Sequence, residues 1–423
     1  MRPLLVISLL CATVPGLECQ TQETGEAFDA GALYRQLHRS PELSFEETET
    51  AARMAREMRA AGLEVTERVG GHGVVGILRN GSGRTLLLRA DMDALPLEEK
   101  TGADYASAVA GRMHACGHDV HMTVLIASLR ELGARRDDWK GTIVAVAQPA
   151  EERGGGAKAM LADGLYSRFP RPVAALALHV NAGLPAGKVG FCEGFALAAV
   201  DMIDLTIFGR GGHGAYPHRT KDPIVIAAEL IVSLQSIVAR EVRPGDPAVV
   251  TVGSIHGGTK HNIIPDEVRL ELTTRCYREE TRAQILEAIE RRARAAALAA
   301  GIGEDRMPRM SIRDESLPSV YNDPAWTKRA AAAAAQALGE DRVTTMEPVM
   351  GAEDFGLYGR TETPLPICIF WLGAVPPAEF EESLKSGRTL PSLHSSEFLP
   401  DADRAIPTGV KAMSAAAIEM LKG

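Results

Sequence analysis

The sequence predicts an α/β fold of two domains, the larger built on a mixed, mainly parallel sheet and the smaller a ferredoxin-like α+β insertion. Three observations lead there. Strand-like and helix-like runs alternate from residue 74 to residue 180, the pattern of parallel strands joined by crossover helices. Around Phe195 the order changes to strand, helix, strand, strand, helix, strand, which is the ferredoxin-like arrangement. From about Ser316 the first style resumes. The larger domain is therefore expected over 23–196 and 316–423, and the insertion over 197–315, within the usual domain size.

In order along the chain, FDAGALYRQLH (28–38) reads as an amphipathic helix stopped by Ser40–Pro41, and Glu46 to Ala61 as a second ending at Gly62. VVGIL (74–78) and TLLLRA (85–90) flank the turn signal NGSG and predict a β-hairpin. The second strand runs into DMDALP, so Asp91 and Asp93 sit at its C-terminal end, where α/β sheets gather ligands. HACGHDVH (114–121) leads a helix to about Leu132. Strand TIVAVAQ (142–148) runs into Pro149-Ala150-Glu151-Glu152, a helix opens at Gly154–Gly156, and strand AALALHV (174–180) carries His179.

In the insertion, DMIDLTIFG (201–209) alternates like a strand with one solvated face, followed by the Gly-rich loop RGGHGAYPH. The run DPIVIAAELIVSLQSIV is a helix with Asp222 as N-cap and Pro223 in its first turn. Strands AVVTVGSIHGG and EVRLELTTRCY, a helix over 279–300 and strand RMSIRD complete the unit. A helix over 323–338, the loop MGAEDFG, strand PICIFWLG, the loop LPSLHSSEF and a helix over 405–421 follow.

Composition narrows the function. With 423 residues, 45% hydrophobic and 24% charged, the chain has the make-up of a globular protein with a sizeable core. A net charge of −9 argues against nucleic acid or an anionic membrane as partner. Met1–Arg2, the apolar run LLVISLLCATV and the polar turn after PGLEC have the shape of a secretory signal peptide over 1–19. A secreted or periplasmic location is expected, with a cytoplasmic one as the alternative, and no other stretch reads as long and apolar enough to span a bilayer. The cysteines at 11, 19, 116, 192, 276 and 368 are too scattered for a disulfide framework.

Chemistry concentrates at element ends: Asp91, Asp93, Cys116, His118, Glu151, Glu152, His179 and His394. Eight such groups exceed what one tetrahedral zinc needs and suit two metals bridged by one ligand, with a water at the open position. A thiolate with imidazoles suits Zn²⁺, or Mn²⁺ or Co²⁺ if carboxylates complete the shell. In the pair Glu151–Glu152 one carboxylate can bind metal while the other acts as general base. Cys116 as a thiol nucleophile paired with a histidine is the competing reading, and a metal-dependent binding domain a third. His114 and His121 read as packing or orienting groups.

The motifs HRSPELSFEE (38–47), RADMDALPLEE (89–99), HACGHDVH, QPAEE with GGGAKAM (148–160), GRGGHGAYPH (209–218), GGTKHNIIPD (257–266), GAEDF (351–355) and LHSSEF (393–398) resemble the aminoacylase/carboxypeptidase superfamily of dinuclear metallohydrolases. The likeness is greatest to its amidohydrolase branch of hippurate hydrolases, N-acyl-amino-acid amidohydrolases and auxin–amino acid conjugate hydrolases. The resemblance implies cleavage of N-acyl amino acids with two divalent metal ions, or, as the alternative, a metallo-dipeptidase or carboxypeptidase activity. It implies that Cys116 bridges the metals, that His118 and His179 complete one, and that Glu152 and His394 complete the other. Glu151 would be the general base and Asp93 an orienting residue, with Asp91 unassigned and Glu353–Asp354 in support of His394. It further implies that His213 polarises the scissile carbonyl, reaching the partner's site in a homodimer or higher oligomer formed through the insertion, and that Asn262 touches the substrate. Where the family has Pro after His-Ser, this chain has Ser396, a change in loop stiffness.

Overall fold

The computed structural model describes residues 28–422, so the expected leader at 1–19 lies outside the described residues. The first segment holds α1 (Ala30–Arg39), α2 (Thr48–Ala60), β1 (Glu64–Val69), β2 (Gly73–Asn80), β3 (Thr85–Asp91), α3 (His118–Ala134), β4 (Gly141–Gln148), α4 (Gly156–Ala162), α5 (Leu165–Arg168), β5 (Ala174–Pro185), β6 (Val189–Phe191) and β7 (Gly194–Leu197). Next come β8 (Ala199–Phe208), β9 (Gly212–His213), α6 (Pro223–Arg240), β10 (Ala248–Gly257), β11 (Ile263–Ile264), β12 (Glu267–Cys276), α7 (Glu279–Ala299) and β13 (Arg309–Ile312). The last segment holds β14 (Val320–Asn322), α8 (Pro324–Leu338), β15 (Val343–Thr345), β16 (Ile367–Val375), α9 (Pro377–Ser386) and α10 (Ala402–Leu421).

The main sheet runs β1-β2-β4-β3-β5-β16-β6-β15. Its centre, β4-β3-β5-β16, is parallel, and antiparallel neighbours close both sides. The expected hairpin between β2 and β3 does not form, because β4 lies between them, antiparallel to β2 and parallel to β3. The reason is burial. All three strands are apolar on both faces, as strands in the middle of a covered sheet are, whereas a hairpin with one wet face would alternate. The NGSG turn instead closes against the entry of β4: a Cβ on Gly83 would meet the Lys140 carbonyl at 2.8 Å.

Helices cover both faces. Met54, Leu125, Leu129, Phe370, Met413 and Met420 belong to one core, and Val144, Val146, Met160, Phe355 and Ile369 to the opposite one. Helix α3 is buried almost all round, and its first turn packs on β5 at Val180. Gly117, at φ +76°, makes that possible, since a Cβ there would strike Val180 Cγ2 at 2.6 Å.

The four-stranded second sheet, in the order β10-β12-β8-β13, has the ferredoxin-like arrangement, with α6 and α7 on one face. Alternation along β8 puts Ile203, Leu205 and Ile207 into a core with Leu230, Leu234, Ile285 and Ile289. The chain enters and leaves this unit side by side, because β7 pairs with β14. Helix α6 corrects one expectation: its 18 residues of mean hydropathy 1.6 are long and apolar enough to cross a bilayer. In the fold, Ile226, Leu230, Leu234 and Ile237 face the sheet, while Val225 and Val232 lie on the exposed side. Helix α9 was not expected, having no buried residue to print an apolar stripe. Cys116, Cys192, Cys276 and Cys368 are all free thiols.

Candidate metal centre and its surroundings

The C-terminal ends of β3 and β4, the middle of β5 at His179 and the start of α3 converge on one point, near where open α/β sheets bind ligands. Cys116 Sγ lies 3.5 Å from His179 Nε2. His118 Nε2 lies 3.9 Å from Glu152 Oε1, which is 3.4 Å from His394 Nε2. Potential ligand atoms of Cys116, His118 and His179 fall within 4.8 Å of one another, and so do those of Cys116, Glu152 and His394. Two triads thus share one sulfur.

The rings are aimed by their far nitrogens. His118 Nδ1 donates to the Asp93 carbonyl at 2.8 Å and His179 Nδ1 to the Val180 carbonyl at 2.8 Å, which turns each Nε2 lone pair inward. His118 Nε2 and Glu152 Oε1 are buried with no hydrogen-bond partner. Such orphaned atoms beside a thiol and two more imidazoles fit a pair of divalent cations. His121 is different. Its Nε2 accepts the Val180 N–H at 2.9 Å and its Nδ1 donates to Asp91 at 2.6 Å, leaving no lone pair for a metal. His114 is buried with neither ring nitrogen bonded.

Asp93 holds the turn after β4. One of its oxygens accepts the Glu151 N–H at 3.1 Å, the other the Glu152 N–H at 3.0 Å and the Ser44 hydroxyl at 2.6 Å. Burial and the nearby Glu353 and Glu152 charges raise the Glu151 carboxyl well above the usual range. Burial, then the Glu152 and Glu151 charges, raises the Cys116 thiol, and burial lowers its neighbour His179 to about 4. A free thiol nucleophile needs the opposite surroundings, a neighbouring cation or base that favours its thiolate.

Sequence reasoning missed Arg89. It is fully buried and donates to Asp91 at 2.7 Å, Glu353 at 2.8 Å, Asp354 at 2.9 Å and Gln148 at 2.9 Å. Asp91 therefore bridges Arg89 and His121. Glu353 and Asp354 were expected to support His394; they bind Arg89 instead and flank Glu151, with oxygens within 4.8 Å of its own. An arginine inside the apolar run TLLLRAD was the available signal, since a buried guanidinium must find carboxylates.

A cavity of about 740 Å³ opens over the cluster. Leu197, Val200, Met202, Leu317, Val349 and Trp371 form its apolar lining. Among its cations, Arg153 pairs with Glu315 and Arg313 with Asp204 and Glu271. Arg275 makes no ion pair among the described residues, and its Nη1 donates to the Met350 carbonyl at 2.7 Å. His213 and Asn262 are not in this lining. They lie together on the exposed β9–β11 ribbon, where Gly214 N–H donates to the Asn262 carbonyl at 2.9 Å.

Residues 87–417 match the family described as Peptidase family M20/M25/M40. IAA-amino acid hydrolase ILR1-like 2 of Arabidopsis thaliana is 35% identical over 331 residues, 78% of this chain and 74% of that protein. The hippurate hydrolase of Campylobacter jejuni is 38% identical over 332 residues, 77% of this chain and 84% of that protein. The crystal structure of Bacillus subtilis YXEP, described as a dinuclear metal binding peptidase from the M20 family, superposes with a TM-score of 0.77 at 30% identity, covering 93% of this chain and 97% of that one.

Proposed function

The chain belongs to peptidase family M20/M25/M40 and is a metal-dependent amidohydrolase, and from its cavity we propose that it cleaves the amide bond of N-acyl amino acids carrying an apolar acyl group. The observation that carries this reading is the pairing of a metal-suited cluster with an apolar wall and one unpaired guanidinium, Arg275, over the same cavity. The relatives named for hippurate and for indole-acetyl amino acids act on compounds of this shape.

In this reading Cys116, His118 and His179 would hold one divalent ion, and Cys116, Glu152 and His394 a second. Mn²⁺, Zn²⁺ and Co²⁺ are the candidates; bound, they supply positive charge that acidifies water and polarises the scissile carbonyl. Glu151 takes the proton from water as its oxygen attacks the carbonyl carbon, then delivers that proton to the leaving nitrogen as the C–N bond breaks. Asp93 keeps Glu151 in place through its backbone N–H. Arg275 receives the carboxylate of the amino acid. The His213 Nδ1 accepts the Ala215 N–H at 3.0 Å, so its Nε2 carries the proton an oxyanion donor needs.

His213 and Asn262 reach the reacting group from a partner subunit. Support for a homodimer comes from the insertion itself: β10 is an edge strand, and Val232 on α6 is 74% exposed. The leader at 1–19 supports export, which cell fractionation of the full-length protein checks.

A dipeptidase is the second reading, since Arg275 would serve a peptide carboxylate equally. The apolar wall speaks against it: the acid in the lining beyond the metal cluster, Glu315, is already paired with Arg153, so among the described residues of the lining no unpaired carboxylate outside that cluster is left to meet a free ammonium. The test is a panel of benzoyl-, indole-acetyl- and acetyl-amino acids with matched dipeptides and amino-acid amides, run on metal-stripped protein reloaded with each ion. Acyl amino acids with a free carboxylate should be the best substrates. Activity that survives full metal removal refutes the proposal.

A further inference from the structure

Apart from the Ser44 hydroxyl on Asp93, the motif HRSPELSFEE has no part in the chemistry described so far, yet Ser44, Phe45 and Glu47 all press on the turn that carries the two glutamates. Ala150, immediately before Glu151, has φ +50°, a left-handed conformation that a residue with a Cβ adopts only when its surroundings impose it. Its N–H donates to Glu47 Oε1 at 2.7 Å. The next two N–H groups donate to Asp93. Three successive amides are thus held by two buried carboxylates, an arrangement that fixes the direction of the chain residue by residue. Ser44 braces Asp93 with its hydroxyl, and the Phe45 ring leaves no room beside Gly155, where a Cβ would approach Phe45 Cζ to 2.4 Å. Glu47 itself is wholly buried at the start of α2, and its second oxygen has no partner.

We propose that Glu47 is a positioning residue for the reaction: by holding the Ala150 amide it keeps that residue left-handed and so aims the Glu151 and Glu152 side chains. The inference rests on the roles assigned to those two glutamates above. Without Glu47 the peptide before Glu151 relaxes toward the ordinary right-handed or extended regions, and both carboxylates rotate away from His118 and His394.

The test uses the full chain, metal-stripped, then titrated with Mn²⁺ by calorimetry and assayed on a benzoyl-amino acid. Glu47→Ala is expected to lower kcat and weaken Mn²⁺ binding by about 10- to 100-fold each, with KM within about twofold of the parent. Glu47→Gln, which keeps an oxygen acceptor, should recover most of both. Ala150→Gly placed in the Glu47→Ala background should recover part, because glycine takes a positive φ unaided. Parent-like kcat and Mn²⁺ affinity in Glu47→Ala overturn the proposal, as does a loss that neither Glu47→Gln nor the added Ala150→Gly reverses. If Glu47→Ala does not fold, a more than tenfold kcat loss in a well-folded Glu47→Gln overturns it and near-parent behaviour supports it. Should the parent cleave no amide, the functional reading fails, while the Mn²⁺ titrations still decide the role of Glu47.

Discussion

Asp93 has both oxygens committed to backbone amides and a hydroxyl, and His118 is held behind by a carbonyl. His213, by contrast, stands exposed on a two-stranded ribbon, its Nδ1 bonded to an amide two residues away. One region is fixed by side-chain contacts from distant parts of the chain, the other by backbone pairing with Ile263 and Ile264, its side chain left open. The difference follows from what each must do. Groups that would share metals need fixed distances, and Cys116, His118 and His179 are accordingly buried where the strands gather, with His394 brought to them from an exposed loop. In the role proposed for it, His213 meets the substrate from outside, and an open loop leaves the substrate a way in.

The comparison can be broken by mutation. The largest effect belongs to Glu151→Gln, which should cost about 10³- to 10⁴-fold in kcat while metal stoichiometry and melting temperature stay at parent values. Arg89→Met should act on stability: three carboxylates lose their buried counter-charge, and urea denaturation should show a loss of about 3–5 kcal/mol. His213→Ala should show the reverse, a kcat loss of about 10²-fold or more with an unchanged urea midpoint. Mixing Glu151→Gln with His213→Ala subunits should restore activity if the two regions meet across a dimer, and no restoration would show that they act within one chain.

The smallest effect concerns pH. Burial lowers the His38 imidazolium, but hydrogen bonds to Asp119 and Glu99 outweigh it and hold the group at about 9. Its folded value lies above its unfolded value of about 6.5, so its contribution is full below pH ~6.5 and is lost as pH rises through about 9. Urea midpoints should fall over that window by an amount equivalent to roughly 2–3 kcal/mol, and His38→Gln should flatten the profile.

Much of the site was legible because its chemistry sits where strands end. Glu151, Glu152 and His179 follow or end an apolar strand, and Cys116 and His118 stand directly ahead of an apolar helix, positions that local pattern places well. The hairpin failed because pairing order is decided by which strand must be buried on both faces, and no local signal says that β4 will slip between β2 and β3. Arg89, Arg275 and Glu47 were invisible for a related reason: each matters through a partner, or a missing partner, far away in sequence. Helix α9 went unseen because periodicity reports burial and it has none.

The ion pairs of Arg89 have a consequence for biosynthesis. Its partner Glu353 lies 264 residues downstream, beyond the whole insertion. At ribosomal speeds of about 5–20 residues per second, roughly 13–53 s pass before that carboxylate is even made. Through that interval the half-finished sheet carries a cation at its heart with two of its three anions not yet translated, and the nascent chain cannot close around it.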